Sequence, residues 1–290
     1  MLNVGVPWNT SRPITHWNNV KTRLITYTYN DGTIEETRTE ERVVGFTLSM
    51  IETKESLPDQ IKYLDRLETL SIISNSNSYL YEIELDDVVT KLEYLKSLSL
   101  FGYGISKLPA SMGDMKNLEE LNLSANTFHS LTDIIEPLKK LGPKLKYLNL
   151  ASCRIVDGDA TKNLKDTPNG IDPVSGRRIG LTGTLPKELF TYFPNMEYLN
   201  LSYNYLHGQI PELTEEDFNG EEVLPKLRYL SVNLNRFTGA MPQWMVKHKY
   251  RGCWGATILI FNQEGRDYNG ILAGFNNERE FTNDMPDCPT

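Results

Sequence analysis

Tyr147, Tyr198 and Tyr229 each open the same short pattern, Y-L-N or Y-L-S, with Asn149, Asn200 and Ser231 two residues further on. A tyrosine offers a rigid apolar surface with a polar tip, and a neighbouring amide adds a donor and an acceptor. Repeated at a constant offset, these residues suit a protein interface or the stacking of a sugar ring. Bond-making chemistry leaves no comparable trace. His16, His129, His207 and His248 are scattered, none in a metal-ligand spacing such as H-E-x-x-H. There is no G-x-S-x-G, no phosphate loop and no paired-cysteine metal motif. The expectation is a non-enzymatic binding protein that needs no cofactor or metal. A hydrolase whose site is assembled from distant residues is the enzymatic alternative.

The elements that must position these tyrosines are set by leucines. In Leu118-Glu119-Glu120-Leu121-Asn122-Leu123-Ser124-Ala125-Asn126-Thr127-Phe128 the period around Leu121 and Leu123 is two. A short strand there points the leucines to one side and Glu120, Asn122 and Ser124 to the other. The template L-x-x-L-x-L-x-x-N recurs as Leu67-Leu70-Ile72-Asn75, Leu95-Leu98-Leu100-Tyr103, Leu145-Leu148-Leu150-Cys153, Met196-Leu199-Leu201-Asn204 and Leu227-Leu230-Val232-Asn235. A weaker leading copy is Val43-Phe46-Leu48-Ile51. The pattern resembles the leucine-rich repeat, in which successive coils stack their leucines behind a parallel sheet with strands about 4.8 Å apart. The slot held by Asn75, Asn126, Asn204 and Asn235 should bury an amide against backbone groups freed by the bend. Cys153 is an accepted substitute there, while Tyr103 is a departure that invites local distortion.

Stacking the copies maps the outer face. One column runs Thr69, Ser97, Glu120, Tyr147, Tyr198, Tyr229 and the next Ser71, Ser99, Asn122, Asn149, Asn200, Ser231. Tyr203 and Phe101 lie near the same face, which makes Tyr147, Tyr198, Tyr229, Tyr203, Asn149, Asn200, Phe101 and Glu120 the candidate binding residues. Beside the tyrosines, Glu68, Lys96, Glu119, Lys146, Glu197 and Arg228 alternate in sign at every step, a pattern that favours this register.

The repeat starts fall at 43, 67, 95, 118, 145, 196 and 227, so one interval of 51 exceeds the others. Removing an inserted loop of about 154–178, rich in Asp, Gly and Pro, returns that interval to one repeat. Its aspartates lack the glycine and distal glutamate of a calcium loop. Upstream, Lys21 to Tyr29 alternates, Asn30-Asp31-Gly32 signals a turn, and Thr33 to Leu48 alternates again. Residues 1–42 therefore form an N-terminal cap with a β-hairpin, with Trp8, Ile14 and Trp17 covering the open leucine core. The charges from Glu35 to Arg42 blunt a strand edge. The solenoid spans 43–262, its last coil carried by Trp254, Leu259 and Asn262, and 263–290 forms a C-terminal cap.

A formal net charge of −8 argues against nucleic acid or an anionic membrane as the main partner. No run of about 18 apolar residues could span a bilayer. The first 30 residues contain no apolar signal core, so the chain is either cytoplasmic or a mature form whose export signal was removed. Three cysteines do not decide between them. Cys153 has its slot, while Cys253 and Cys288 are left as a pair across the cap or as two free thiols.

A second motif follows several strands: Ile105-Ser106-Lys107-Leu108-Pro109, Leu181-Thr182-Gly183-Thr184-Leu185-Pro186, Leu206-His207-Gly208-Gln209-Ile210-Pro211 and Phe237-Thr238-Gly239-Ala240-Met241-Pro242. It resembles the L-x-G-x-I-P of plant-type leucine-rich repeats, a class also found in surface proteins of gut Bacteroidetes, whose short Trp-containing cap is similar too. The resemblance implies an α/β solenoid with a parallel concave sheet and short strands and helices on the convex side. Lys187–Phe193 and a capping-box-like start at Ser130-Leu131-Thr132-Asp133 suit the helices. It also implies an extracellular or cell-surface protein that binds a protein partner on the concave face, a glycan being the alternative ligand.

Overall fold

The computed structural model describes residues 13–16, 18–30, 32–51, 54–74, 82–151, 180–232, 235–239 and 241–250. Outside them lie Trp8, Trp17, Asn75, Cys153, the inserted segment Arg154–Arg178, Cys253, Trp254, Leu259, Asn262, Cys288 and the C-terminal cap 263–290.

Each leucine template makes a strand because its alternating residues have one apolar face to bury. After the hairpin strands β1 (Val20–Asn30) and β2 (Glu35–Ile51) come β3 (Thr69–Ser74), β4 (Ile83–Glu84), β5 (Ser97–Phe101), β6 (Ile105–Lys107) and β7 (Glu120–Asn122). The remaining strands are β8 (Tyr147–Asn149), β9 (Thr182–Thr184), β10 (Tyr198–Asn200), β11 (Tyr205–Gly208), β12 (Tyr229–Ser231) and β13 (Arg236–Phe237). The principal sheet has eight strands in the order β1-β2-β3-β5-β7-β8-β10-β12. Only β1 and β2 pair antiparallel; every later neighbour is parallel. As expected, the second arm of the hairpin continues into the first repeat strand, where Phe46 pairs with Leu70.

Register is kept from β3 to β12. Leu70, Leu98, Leu121, Leu148, Leu199 and Leu230 pair in turn, and each is at most 2% exposed. A one-residue slip anywhere would turn a strand's leucines to solvent, so the column fixes the register. β8 and β10 are direct neighbours although 51 residues separate their repeat starts, so the long interval does not break the sheet. Tyr103 is fully buried, and the main sheet runs past it unshifted through Ile73 and Phe101. The irregularity falls in the second row, where β4 pairs with β6 through a register shift between Ile83 and Glu84.

That second row consists of two pieces, β4-β6 and β9-β11-β13. Between them Ser130 makes a single bridge to Thr182. The coil concerned has Phe128-His129-Ser130-Leu131 where the three that follow have Gly183, Gly208 and Gly239. That glycine has a geometric reason: Gly208 and Gly239 have φ of +79° and +87°, and a Cβ on Gly239 would sit 2.7 Å from Gln209. The convex segments then turn in short helices: α1 (Ile135–Leu141), α2 (Lys187–Thr191), α3 (Gln243–Lys247) and tight 3-10 turns such as Asp59–Tyr63, Asp87–Lys91 and Ala110–Asp114. Pro58, Pro109, Pro186 and Pro242 hold the extended cap position before four of these elements. At Ser130, expected to start a helix, a 3-10 turn over Leu131–Asp133 begins, and Ser130 Oγ accepts the amide and the hydroxyl of Thr132. α1 itself starts after Ile134 with no side-chain cap. A full capping box forms at Thr214, whose backbone amide donates to Asp217. At the C-terminal end Trp244 and Met245 of α3 are buried, Trp244 packing edge-on against Phe190. Ile14, expected to close the other end, is only half-buried.

Candidate functional site

The outer columns of the sheet follow from the leucine register. Tyr147 pairs with Tyr198 and Tyr198 with Tyr229. Strand spacing puts like side chains about one ring thickness apart, and the rings stack. Tyr147 and Tyr198 have centroids 4.2 Å apart at 11°, and Tyr198 and Tyr229 have theirs 4.1 Å apart at 3°. Burial pushes the Tyr198 and Tyr229 phenols above their ordinary value, so both remain protonated at neutral pH.

Stacking changes what this surface presents. Both faces of Tyr198 are occupied by its neighbours, so the centre of the ladder offers a ring edge and a hydroxyl. The expectation of face-on sugar stacking therefore has no ring face at the centre of the site. The amides beside it are partly committed as well. Asn149 Oδ1 accepts the amide of Ala151, and Asn200 Oδ1 accepts both the amide and the hydroxyl of Ser202. Asn200 also donates to the Tyr198 hydroxyl at 3.5 Å. Asn122 makes the same turn with Ser124, which is why Ser124 is buried rather than outward-facing.

Glu120 is exposed on β7, in register with Tyr147. Phe101 pairs with Ile73, a second apolar pair two strands away from the tyrosines. Sequence reasoning missed Ile73, although its offset from Leu70 and Ile72 carried the signal. Tyr203 is not part of the stack: it turns the corner after β10 with φ +58° and is 38% exposed. Beside the tyrosine column, Glu119 and Lys146 meet at 2.6 Å, and Glu68 lies between Arg23 and Lys96. The Glu119 carboxylate raises the Lys146 ammonium and fixes its charge next to the stack.

Behind the strands, buried asparagines hold the coils together. Asn126 accepts the amides of Gly104 and Ile105 and donates to the carbonyls of Leu100 and Leu123. Asn204 and Asn235 repeat this pattern, Asn204 joining Leu181 N–H to the carbonyls of Leu150 and Leu201. Each amide thus ties its own coil to the preceding one. Among the described residues no group of three His, Cys, Asp or Glu side chains could hold a metal ion, and no helix is long and apolar enough to cross a membrane.

A leucine-rich-repeat family model matches residues 195–215, the coil that carries Tyr198 and Asn204. The receptor-like protein CLAVATA2 of Arabidopsis thaliana is 44% identical over 59 residues, 20% of this chain and 7% of that protein. Adenylate cyclase of Schizosaccharomyces pombe is 26% identical over 167 residues, 57% of this chain and 9% of that protein. The chain therefore spans less than a tenth of either curated relative. Among solved structures, a leucine-rich-repeat protein of Leptospira interrogans aligns at 21% identity and TM-score 0.45, over 68% of this chain and 38% of that one. The Arabidopsis receptor kinase HAESA, solved with a peptide hormone and a co-receptor, aligns at 23% identity and TM-score 0.47, over 70% of this chain and 27% of that one. The unbroken leucine register, the asparagine ties and the family match at 195–215 make this chain a leucine-rich-repeat solenoid.

Proposed function

We propose that the solenoid is a non-enzymatic recognition module that binds a protein partner on the outer, concave face of the principal sheet, with Tyr147, Tyr198 and Tyr229 at the centre of the contact. The observation that carries this reading is the stacked ladder. Tyrosine is enriched where binding energy concentrates. Here the rings are already ordered by one another, so a partner gains contact area without immobilising free side chains. Edges and hydroxyls suit a polypeptide, whose amides and carbonyls can meet them, better than a sugar that needs a ring face. Glu120, Asn149, Asn200 and the Ile73–Phe101 pair would form the rim, with Lys146 and Glu119 setting charge preference. The setting we propose is extracellular or at the cell surface, as in the gut Bacteroidetes proteins that the repeats and cap resemble. The match to a receptor-like protein over 59 residues is in keeping with it.

The test is selection of binders from a displayed peptide library, followed by calorimetry on the wild-type chain and on a Tyr147→Ala, Tyr198→Ala, Tyr229→Ala triple variant. Each substitution should weaken binding by about 1 kcal/mol or more, and Lys146→Glu should alter mainly the salt dependence. An affinity that survives the folded triple variant would refute the concave-face reading. Tyrosine-dependent binding on a glycan array, with none to peptides, would replace the protein partner by a sugar.

A further inference from the structure

The hairpin extends past the solenoid it caps. β1 pairs with β2 from Val20 to Asn30, whereas β2 meets β3 only from Gly45 onward. Leu24–Asn30 and Glu35–Glu41 are thus a two-stranded arm with two edges of different character. The β2 side is dense in charge, from Glu35 to Arg42. The β1 side, Leu24-Ile25-Thr26-Tyr27-Thr28-Tyr29, has no charge, no proline and no glycine, and its register shift lies at the base, between Lys21 and Thr22. Leu24 is 66% exposed. Among the described residues β1 ends the sheet, with no strand on its outer side. An uncharged, unbulged edge of strong β-formers is the kind that natural sheets blunt unless something pairs with it.

We infer that the outer edge of β1 pairs antiparallel with β1 of a second copy of this chain, about a twofold axis normal to the sheet. Such an axis keeps the same face upward in both copies, so residues of equal parity oppose one another. With Thr26 on the axis, Ile25 meets the partner's Tyr27, Leu24 the partner's Thr28 and Arg23 the partner's Tyr29. No like charges are opposed. The antiparallel order also sets the base of one arm, with Lys21 and with Arg23 already paired to its own Glu68, one strand away from the acidic tip of the other, where the partner's Glu35 and the partner's Glu36 lie. A parallel pairing would instead set base against base and tip against tip. This charge complementarity selects a second copy over a foreign strand, which would match the backbone alone. The arm is ordered beforehand: Thr26 and Thr39 hydroxyls meet at 2.8 Å, and Arg38 lies 3.9 Å over the Tyr29 ring.

Sedimentation equilibrium of the full chain through the micromolar range, where an interface of this small size associates, should give twice the monomer mass at high concentration. Thr26→Lys and Thr26→Glu each place like charges on the axis at an exposed site, and each alone should weaken the dimer about tenfold or more. An equimolar mixture of the two should restore it, which no loss of folding could imitate. A wild-type chain that stays monomeric throughout, a dimer indifferent to Thr26→Lys, or a mixture that remains monomeric would each overturn the pairing.

Discussion

Asn204 is fully buried and its amide serves two coils at once, so its replacement probes the cohesion of the solenoid where the sheet crosses its longest interval. In Asn204→Ala the Leu181 N–H loses the Oδ1 that it reaches at 2.9 Å, and the Leu150 carbonyl loses the Nδ2 at 2.9 Å. The Leu201 carbonyl is less affected, because Asn235 also donates to it at 2.9 Å. At least two buried backbone groups are therefore deprived, each costing about 1–3 kcal/mol, and the Ser202 carbonyl loses a longer contact at 3.2 Å. Relaxation recovers part of that, so we expect a loss of about 2–4 kcal/mol, read as a lower urea midpoint at unchanged slope. Asn204→Asp separates the donor from the acceptor. The carboxylate can still accept from Leu181, but it faces two carbonyls to which it can no longer donate. Its folded-state pKa must then lie above the ordinary carboxylate value of about 3.9. In the window between those two values the folded chain binds more protons than the unfolded one, so stability falls as pH rises and returns as pH drops. Relative to wild type, Asn204→Asp should be weaker at pH near 7 and should recover near pH 5, as a protonated carboxyl regains a donor. A loss below about 0.5 kcal/mol for Asn204→Ala, the surface range, would refute the bridging role. A pH-independent Asn204→Asp would refute the donor assignment.

Leu199, 2% exposed between Leu148 and Leu230, should cost about 2–5 kcal/mol on replacement by alanine, measured by urea titration. His248 is buried, its Nε2 bonded to the Leu224 carbonyl and its Nδ1 accepting the Tyr250 amide, and burial lowers its basicity from the ordinary 6.5. The unfolded chain then takes up the proton first, so stability is complete above 6.5 and declines as pH falls toward the lowered folded value. Urea midpoints on either side of that value should differ in wild type and lose this part of the difference in His248→Gln.

The strands were legible because burial acts on them with a strict period. Leu98, Leu121 and Leu148 could be aligned on paper, since no other register buries all three. The tyrosine column came with that register, but its mutual stacking did not, because ring orientation depends on the strand spacing and on both neighbours. The acceptor role of Asn149 and Asn200 was hidden for a related reason: Asn favours turns toward its own backbone two residues on, and Ala151 and Ser202 stand at that offset. Thr214-x-x-Asp217 carried a capping signal as plain as the one at Ser130. The short convex elements fell between α and 3-10 because three to seven residues are too few for propensity to choose.

The outer face is not uniform, and that bears on how any partner could use it. Across β3 and β5 the first two columns are Thr69, Ser71, Ser97 and Ser99, all short, flanked by Ile73 and Phe101. Across β8, β10 and β12 the first column rises to three stacked rings. The sheet thus presents a shallow floor beside a ridge, with Glu120 and Asn122 of β7 at the step. Both halves rest on the same leucine columns, so neither can shift without disturbing the core. A contact confined to the ridge would meet mainly ring edges and hydroxyls. One that also reaches the floor must project a side chain down to Ile73 and Phe101, and its affinity would then depend on both ends. Loss on Phe101→Ala as well as on the tyrosine variants would mark a partner that spans the step, whereas indifference to Phe101 would place it on the ridge.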